Sequence, residues 1–497
     1  MTRTRPMMPR AAGLLLHPTS LPGPYGIGTL GSIARRWVDR LGTVGVGYWQ
    51  ILPLGPTGFG HSPYQCYSAF AGNALLIDPD LLVDAGFLGP DERPPRSPEG
   101  SAVDFDTVIA RHTAMLEKAH ARFRPTKAFD AFCADHAAWL DDYALFMALK
   151  TYFNERVWND WPENIRLREP ETLAYYASVL KDETGFHRFV QFCFYEQWEA
   201  LRSYANAKGV RIIGDLPIYV AMNSADVWAH PEYFQLDDAL QPTAVAGVPP
   251  DYFSATGQRW GNPLFEWERL EQEGYEWWIA RLKGSLELFD WVRIDHFRGF
   301  ESYWSIPADE ETAINGEWIA GPGGRLFDAF RSALGRNLPI IAEDLGIITP
   351  EVEALRDDYG LPGMKILQFA FGSDAGNPYL PHNHIQNCVV YTGTHDNDTT
   401  NGWFYAAPPE EAERAHTMRY LHCPWEAFHE SLNRTALAST ANLAVLPLQD
   451  LLGLGSDARM NTPGTSEGNW HWRVTPQQFE EAPWDGLKSM LALYGRA

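Results

Sequence analysis

The stretch Phe289-Asp290-Trp291-Val292-Arg293-Ile294-Asp295-His296 decides how the rest of the chain is read. Its apolar run has the length of a strand buried on both faces. It stops at Asp295 and His296 rather than at the Gly or Asn of an ordinary turn. Seven more runs have the same form: Gly13–His17, Tyr48–Pro53, Val210–Leu216, Leu338–Glu343, Met364–Phe371, Cys388–Thr392 and Leu443–Leu448. Helical patterns lie between them. Ser32 is placed to cap a helix with Ile33, Trp37, Val38 and Leu41 on one face. Phe186, Phe189, Val190, Cys193 and Leu201 repeat at helical spacing before Gly209, a stop signal.

Eight strands alternating with helices predict an α/β chain folded as a (β/α)8 barrel. The spacing is uneven. Residues 54–209 follow the second strand and predict a mostly helical insertion that ends in a barrel helix. Residues 217–288 follow the third strand and predict a loop-rich insertion, with turn signals at Pro249-Pro250-Asp251 and from Gly257 to Pro263. The expectation is a single catalytic unit over 1–497, with large inserted subdomains and no C-terminal β-sandwich domain.

Composition narrows the partners. The 497 residues carry 40 Lys and Arg against 63 Asp and Glu, a net charge of −23. Such a surface repels phosphate backbones and anionic lipid, so neither nucleic acid nor a membrane is an expected partner. A neutral substrate fits better, and 19 Trp and 21 Tyr supply rings on which sugar C–H faces stack, although most such rings fill cores. The five cysteines, Cys66, Cys133, Cys193, Cys388 and Cys423, are scattered and form no CxxC. That pattern suits reduced thiols in a cytoplasmic protein rather than a disulfide framework or zinc site. The apolar stretch Ala11–Leu16 is too short for a signal peptide or a membrane span.

Barrel enzymes carry their chemistry at the C-terminal ends of the strands. Here the third run ends in Gly214-Asp215, the fourth in Arg293-Ile294-Asp295-His296, the fifth in Glu343-Asp344, and the seventh leads to Thr394-His395-Asp396-Asn397-Asp398. A single acid in such a place is more often a cap or a salt-bridge partner. Four acidic strand ends, with an Arg and two His among them, point to chemistry. Glycosidic bond cleavage needs this set: one carboxylate to attack the anomeric carbon and one carboxylic acid to protonate the leaving oxygen. A third acid stabilises the oxocarbenium-like transition state. Arg293, two positions before Asp295 and on the same strand face, is placed to keep that nucleophile ionised.

The segments Gly214-Asp215-Leu216-Pro217, Arg293-Ile294-Asp295-His296, Ala342-Glu343-Asp344-Leu345 and Thr394-His395-Asp396-Asn397 resemble, in order, the four short motifs of the α-amylase clan. The chain as a whole resembles the 4-α-glucanotransferases known as amylomaltases or disproportionating enzymes. Supporting stretches are His17-Pro18-Thr19-Ser20-Leu21, Ser62-Pro63-Tyr64-Gln65, Val248–Phe253, Gly257–Pro263, Arg459–Gly464 and Gly468-Asn469-Trp470. After Asp215 the α-amylases usually carry Asn-His, whereas this chain reads Leu216-Pro217-Ile218-Tyr219, the amylomaltase pattern. The resemblance implies Asp295 as nucleophile, Glu343 as acid/base and Asp396 as transition-state stabiliser. It places Asp215, Arg293, His296 and His395 around the sugar at the cleavage point, and Tyr64, Asp251 and Trp260 along the glucan channel. It assigns residues 461–470, including Asn469, to a loop near the donor groove. The implied reaction is retaining transfer of α-1,4-glucan segments among maltooligosaccharides, with no cofactor or metal, by a monomer or weak oligomer.

Two other signals are set aside. Gly26-Ile27-Gly28-Thr29-Leu30-Gly31 matches GxGxxG, but a Pro-rich stretch rather than a strand precedes it, as a nucleotide site would not allow. His395-Asp396-Asn397-Asp398, with His382 and His384 nearby, lacks EF-hand spacing. Two alternatives stay open at this stage: an α-amylase-like hydrolase and a non-catalytic maltodextrin-binding protein.

Overall fold

The computed structural model describes residues 8–98, 100–250, 254–406 and 411–497. Among the described residues twelve strands form, in chain order: β1 (Ala11–Leu15), β2 (Tyr48–Gln50), β3 (Arg211–Pro217), β4 (Ala244–Val248), β5 (Gln258–Pro263), β6 (Trp291–Asp295), β7 (Ser302–Pro307), β8 (Glu317–Ala320), β9 (Ile340–Ala342), β10 (Gly363–Ile366), β11 (Cys388–Tyr391) and β12 (Leu443–Pro447). Eight of them make one parallel sheet in the order β10-β11-β12-β1-β2-β3-β6-β9. The Ala342 amide donates to the Pro362 carbonyl at 2.9 Å, joining the two ends into a nearly closed barrel. Each barrel strand falls within or against one of the eight apolar runs. Their continuous apolar character follows from burial on both sides, by barrel interior and by helices.

Some strands are shorter than their runs. The run Met364–Phe371 leaves the sheet after Ile366 and turns through Leu367–Phe369, where the Gln368 side chain donates to the Asp398 carbonyl at 2.9 Å. Ser32 is the first residue of the helix Ser32–Val44 and not its cap. Gly31 caps it instead, since a Cβ there would lie 2.1 Å from the Asp78 carboxylate. A Cβ on Gly28 would lie 1.9 Å from the Pro18 carbonyl. The glycine-rich motif thus packs the chain against the turn at the end of β1, and no strand feeds it.

Between β2 and β3 the chain is helical, and it ends in the long helix Lys181–Ala207, which leads into β3. The stretch expected to be loop-rich contains more order. Its turn-rich segment Gly257–Pro263 is mostly strand β5. Strands β4, β5, β7 and β8 form an antiparallel sheet in the order β5-β4-β7-β8. Strands β4, β5 and β7 carry Gly or Pro, and β4 pairs with β7, which lies beyond β6 in the chain, so no local periodicity announced the sheet. Among the described residues no helix is long and apolar enough to cross a membrane.

Candidate active site

Strands β3 and β6 supply the first layer. Asp215 and Arg293 are register partners, so both side chains enter the barrel mouth at one level. Arg293 is 3% exposed, and its Nη1 lies 2.8 and 2.7 Å from the two oxygens of Asp215 and 2.9 Å from Asp295 Oδ1. One buried cation is thus shared by two carboxylates. Burial alone would weaken the guanidinium's hold on its proton; the charges of Asp215 and Asp295 reverse that and raise its pKa well above the ordinary value. Tyr64 comes from the segment after β2. Its hydroxyl donates to Asp215 Oδ2 at 2.8 Å, and its ring stacks on His395 with centroids 5.2 Å apart.

Strand β9 places Glu343. Ile294 pairs with Ala342, so Asp295 and Glu343, one residue further on, stand level on neighbouring strands. Strands in a sheet lie about 4.7–4.9 Å apart. Both Glu343 oxygens accept backbone hydrogen bonds, Oε2 from the His296 amide at 2.6 Å and Oε1 from the Leu345 amide at 3.0 Å. His296 adopts a left-handed backbone with φ 53°, a conformation costly for a non-glycine residue and often retained at functional sites. The two acids differ in proton affinity. Burial, then the negative charge of Asp295, pushes Glu343 up to about 8. Burial also raises Asp295, but Arg293 holds it back at about 6. Near neutral pH one carboxyl group is ionised while its neighbour keeps a proton, the division of labour that an acid and nucleophile pair requires.

The third acid sits on the loop after β11. Asn397 Oδ1 accepts from both the amide and the hydroxyl of Thr394 at 2.9 Å, which closes a turn with His395 and Asp396 at its crest. Asn461 Nδ2 donates to Asp396 Oδ1 at 2.6 Å, and Arg459 Nη2 donates to the Asp396 carbonyl at 2.7 Å. His395 Nε2 lies 3.4 Å from Asp396 Oδ2.

The remaining candidates divide. Trp260, on β5, meets the His296 ring edge-on with centroids 4.8 Å apart. His296 Nε2 has no protein partner, and burial together with Arg298 lowers its pKa to about 3, so the ring is neutral. Asn469 is turned to its own loop: its oxygen accepts from the Thr462 amide and its nitrogen donates to the Thr465 carbonyl. It shapes residues 461–470 rather than presenting its amide to the mouth. Asp251 lies outside the described residues. Asn461, Arg459 and Trp470 were not singled out from the sequence individually. Trp470 packs within 5.9 Å of Tyr64 and 6.0 Å of His395, centroid to centroid. All three lie in the stretch that resembled the family near its end, but nothing local shows which of those side chains turn inward.

The family model described as 4-alpha-glucanotransferase matches residues 16–478. The chain belongs to the 4-alpha-glucanotransferase family. It is 53% identical over 499 residues to a 4-alpha-glucanotransferase of a Synechocystis strain, covering 98% of each chain. It is 52% identical over 502 residues to one from Thermus thermophilus, covering 97% of this chain and 98% of the relative. The amylomaltase from Streptococcus agalactiae in complex with acarbose superposes with a TM-score of 0.95 at 42% identity, covering 98% of this chain and 100% of that one. The Streptococcus agalactiae amylomaltase therefore shares with this chain its barrel and its insertions.

Proposed function

We propose that this chain moves segments of α-1,4-glucan from a donor to the 4-hydroxyl of a glucose or glucan acceptor, by double displacement with retention. One observation carries the reading: Asp295, ion-paired to Arg293, stands level with Glu343 on the adjacent strand. The expected spacing of neighbouring strands matches the separation of about 5 Å that retaining enzymes use.

In the first step Glu343 gives its proton to the bridging oxygen while an Asp295 oxygen bonds the anomeric carbon. The leaving glucan departs with that proton. In the second step Glu343, now ionised, takes the proton of the acceptor's 4-hydroxyl, whose oxygen displaces Asp295 with a second inversion. Asp396, oriented by Asn461, faces the positive charge that develops on the sugar ring in both steps. Arg293 keeps Asp295 ionised, and the Asp215–Tyr64 pair fixes Arg293. His395 and the free Nε2 of His296 are the hydrogen-bonding groups for the sugar at the cleavage point, and Trp260 and Tyr64 supply the rings along the glucan. The acarbose held by the Streptococcus agalactiae amylomaltase supports a maltooligosaccharide in this groove.

Both steps use side chains of one chain only, so a monomer suffices. All five cysteines are unpaired, as suits a cytoplasmic enzyme. The test is incubation with pure maltotriose, following product lengths and reducing ends together. Glucose plus longer oligosaccharides at a constant reducing-end count is the expected result. A rising count with only shorter products would make the enzyme a hydrolase, and no turnover would refute both.

A further inference from the structure

We propose that Asp450 is a positioning residue for this reaction, a staple that holds Asp396 at its height by tying both ends of the loop that bears it. The inference rests on the reading of Asp396 as the group that stabilises the sugar cation.

Asp450 lies in the short helix Leu448–Leu451 that follows β12 and is 1% exposed. Its Oδ2 accepts from the Thr392 hydroxyl at 2.5 Å, and its Oδ1 accepts from the Thr400 amide at 2.7 Å. Thr392 is the first residue after β11, and Thr400 opens the helical turn that follows the loop. One buried carboxylate therefore ties both ends of a loop whose midpoint is Asp396. The staple is itself anchored, because Asn433 Nδ2 donates to the Asp450 carbonyl at 2.9 Å.

Packing alone does not define the loop's height. Beneath it lies a cavity of about 20 Å³, lined by His17, Leu52, His395, Asn397, Gln449 and Met460 among others, with room for a water molecule. The Nδ1 of His17, buried at this cavity, has no protein partner. No protein side chain fills that space, so the loop has room to shift once its end ties are lost. A shift of about 1 Å at a catalytic group costs roughly 100-fold in rate.

The test uses the full-length enzyme with maltotriose, each rate being taken per folded molecule. Asp450→Ala should lower kcat about 10- to 100-fold while KM changes less than about threefold, as expected for an interaction realised in the transition state. Asp450→Asn should stay within about fivefold of the parent, because its oxygen still accepts from Thr400 and its amide can donate to the Thr392 hydroxyl. Should Asp450→Ala fail to fold, Thr392→Val removes one tie at constant shape, with an expected loss of about 3- to 10-fold in kcat. A variant whose melting temperature falls while kcat stays at the parent value would overturn the proposal. The decisive cycle combines Asp450→Ala with Asp396→Asn. If Asp450 acts through Asp396, adding the first change to the second costs little more. Losses that multiply would sink the staple while leaving the role of Asp396 intact. An unchanged kcat in Asp396→Asn alone would remove the underlying reading, and the staple with it.

Discussion

The guanidinium of Arg293 stands 2.9 Å from the carboxylate of Asp295, and the same nitrogen binds Asp215 on the neighbouring strand. The geometry makes Asp215 an anchor and Asp295 the exposed end of the pair: the Asp215 side chain is fully buried, whereas 29% of that of Asp295 is open to the cleft. Asp295 is thus held from behind and free in front.

Arg293→Lys keeps the charge but replaces a rigid guanidinium, whose Nη1 sits between the two carboxylates, with a flexible ammonium that is not fixed at that point. We expect kcat/KM to fall about 100- to 1,000-fold and the acid limb of its pH profile to move to higher pH, because Asp295 is less well stabilised as an anion. Steady-state rates across pH check this; an unmoved acid limb would disconnect Arg293 from the ionisation of Asp295.

The parent enzyme should show a bell-shaped dependence of kcat/KM on pH. Activity rises as Asp295 loses its proton near pH 6 and falls as Glu343 loses its own near pH 8. The two limbs belong to the interacting pair rather than to either residue alone. A profile flat from pH 5 to 9 would contradict this division.

Glu343 also links stability to pH. Its folded pKa lies above the ordinary carboxylate value, so the native state binds more protons than the unfolded state between about pH 4.5 and 8. The contribution of this group is therefore fully present below the unfolded pKa and is lost as pH rises through about 8. Glu343→Gln removes the dependence but also gives up one backbone hydrogen bond, a cost constant with pH. The stability difference between variant and parent should move in favour of Gln by on the order of 1–3 kcal/mol from pH 5 to pH 9. Denaturant melts at both values measure it, and the opposite slope would mean that Glu343 is stabilised as an anion.

Asn461 is the neutral donor to Asp396. Asn461→Ala should lower kcat about tenfold, with little change in KM. Asn461→Asp sets a second carboxylate against Asp396, and its loss should exceed that of the alanine variant. Equal activities for parent and Asn461→Asp would show that the contact does not tune Asp396.

The two sheets differ in how far they could be read locally. Each barrel strand is sandwiched between apolar surfaces, so burial alone imposes an apolar run and the runs could be counted. The sheet of β4, β5, β7 and β8 is built from pieces on either side of β6, and its pairing is a property of the folded chain. Gly257–Pro263 reads as a turn because two Gly and a Pro punctuate it, yet neighbouring backbone makes most of it a strand. Asn469 and Asn461 make the same point within one loop. Both are amides eight residues apart; only Asn461 reaches a carboxylate, while Asn469 closes the loop.

By itself the sequence determined the eight parallel strands and the acids at their ends, because apolar runs and their polar stops are local patterns set by burial. Four short motifs and the resemblance of nearly the whole chain also carried the family. Only the tertiary structure decided the proton affinities of Asp295 and Glu343, the sharing of Arg293 between two carboxylates, and the tie from Asp450 to both ends of the Asp396 loop. Those depend on distances of a few ångströms between residues far apart in the chain, and electrostatic and hydrogen-bond energies are set by such distances and by the water excluded around them.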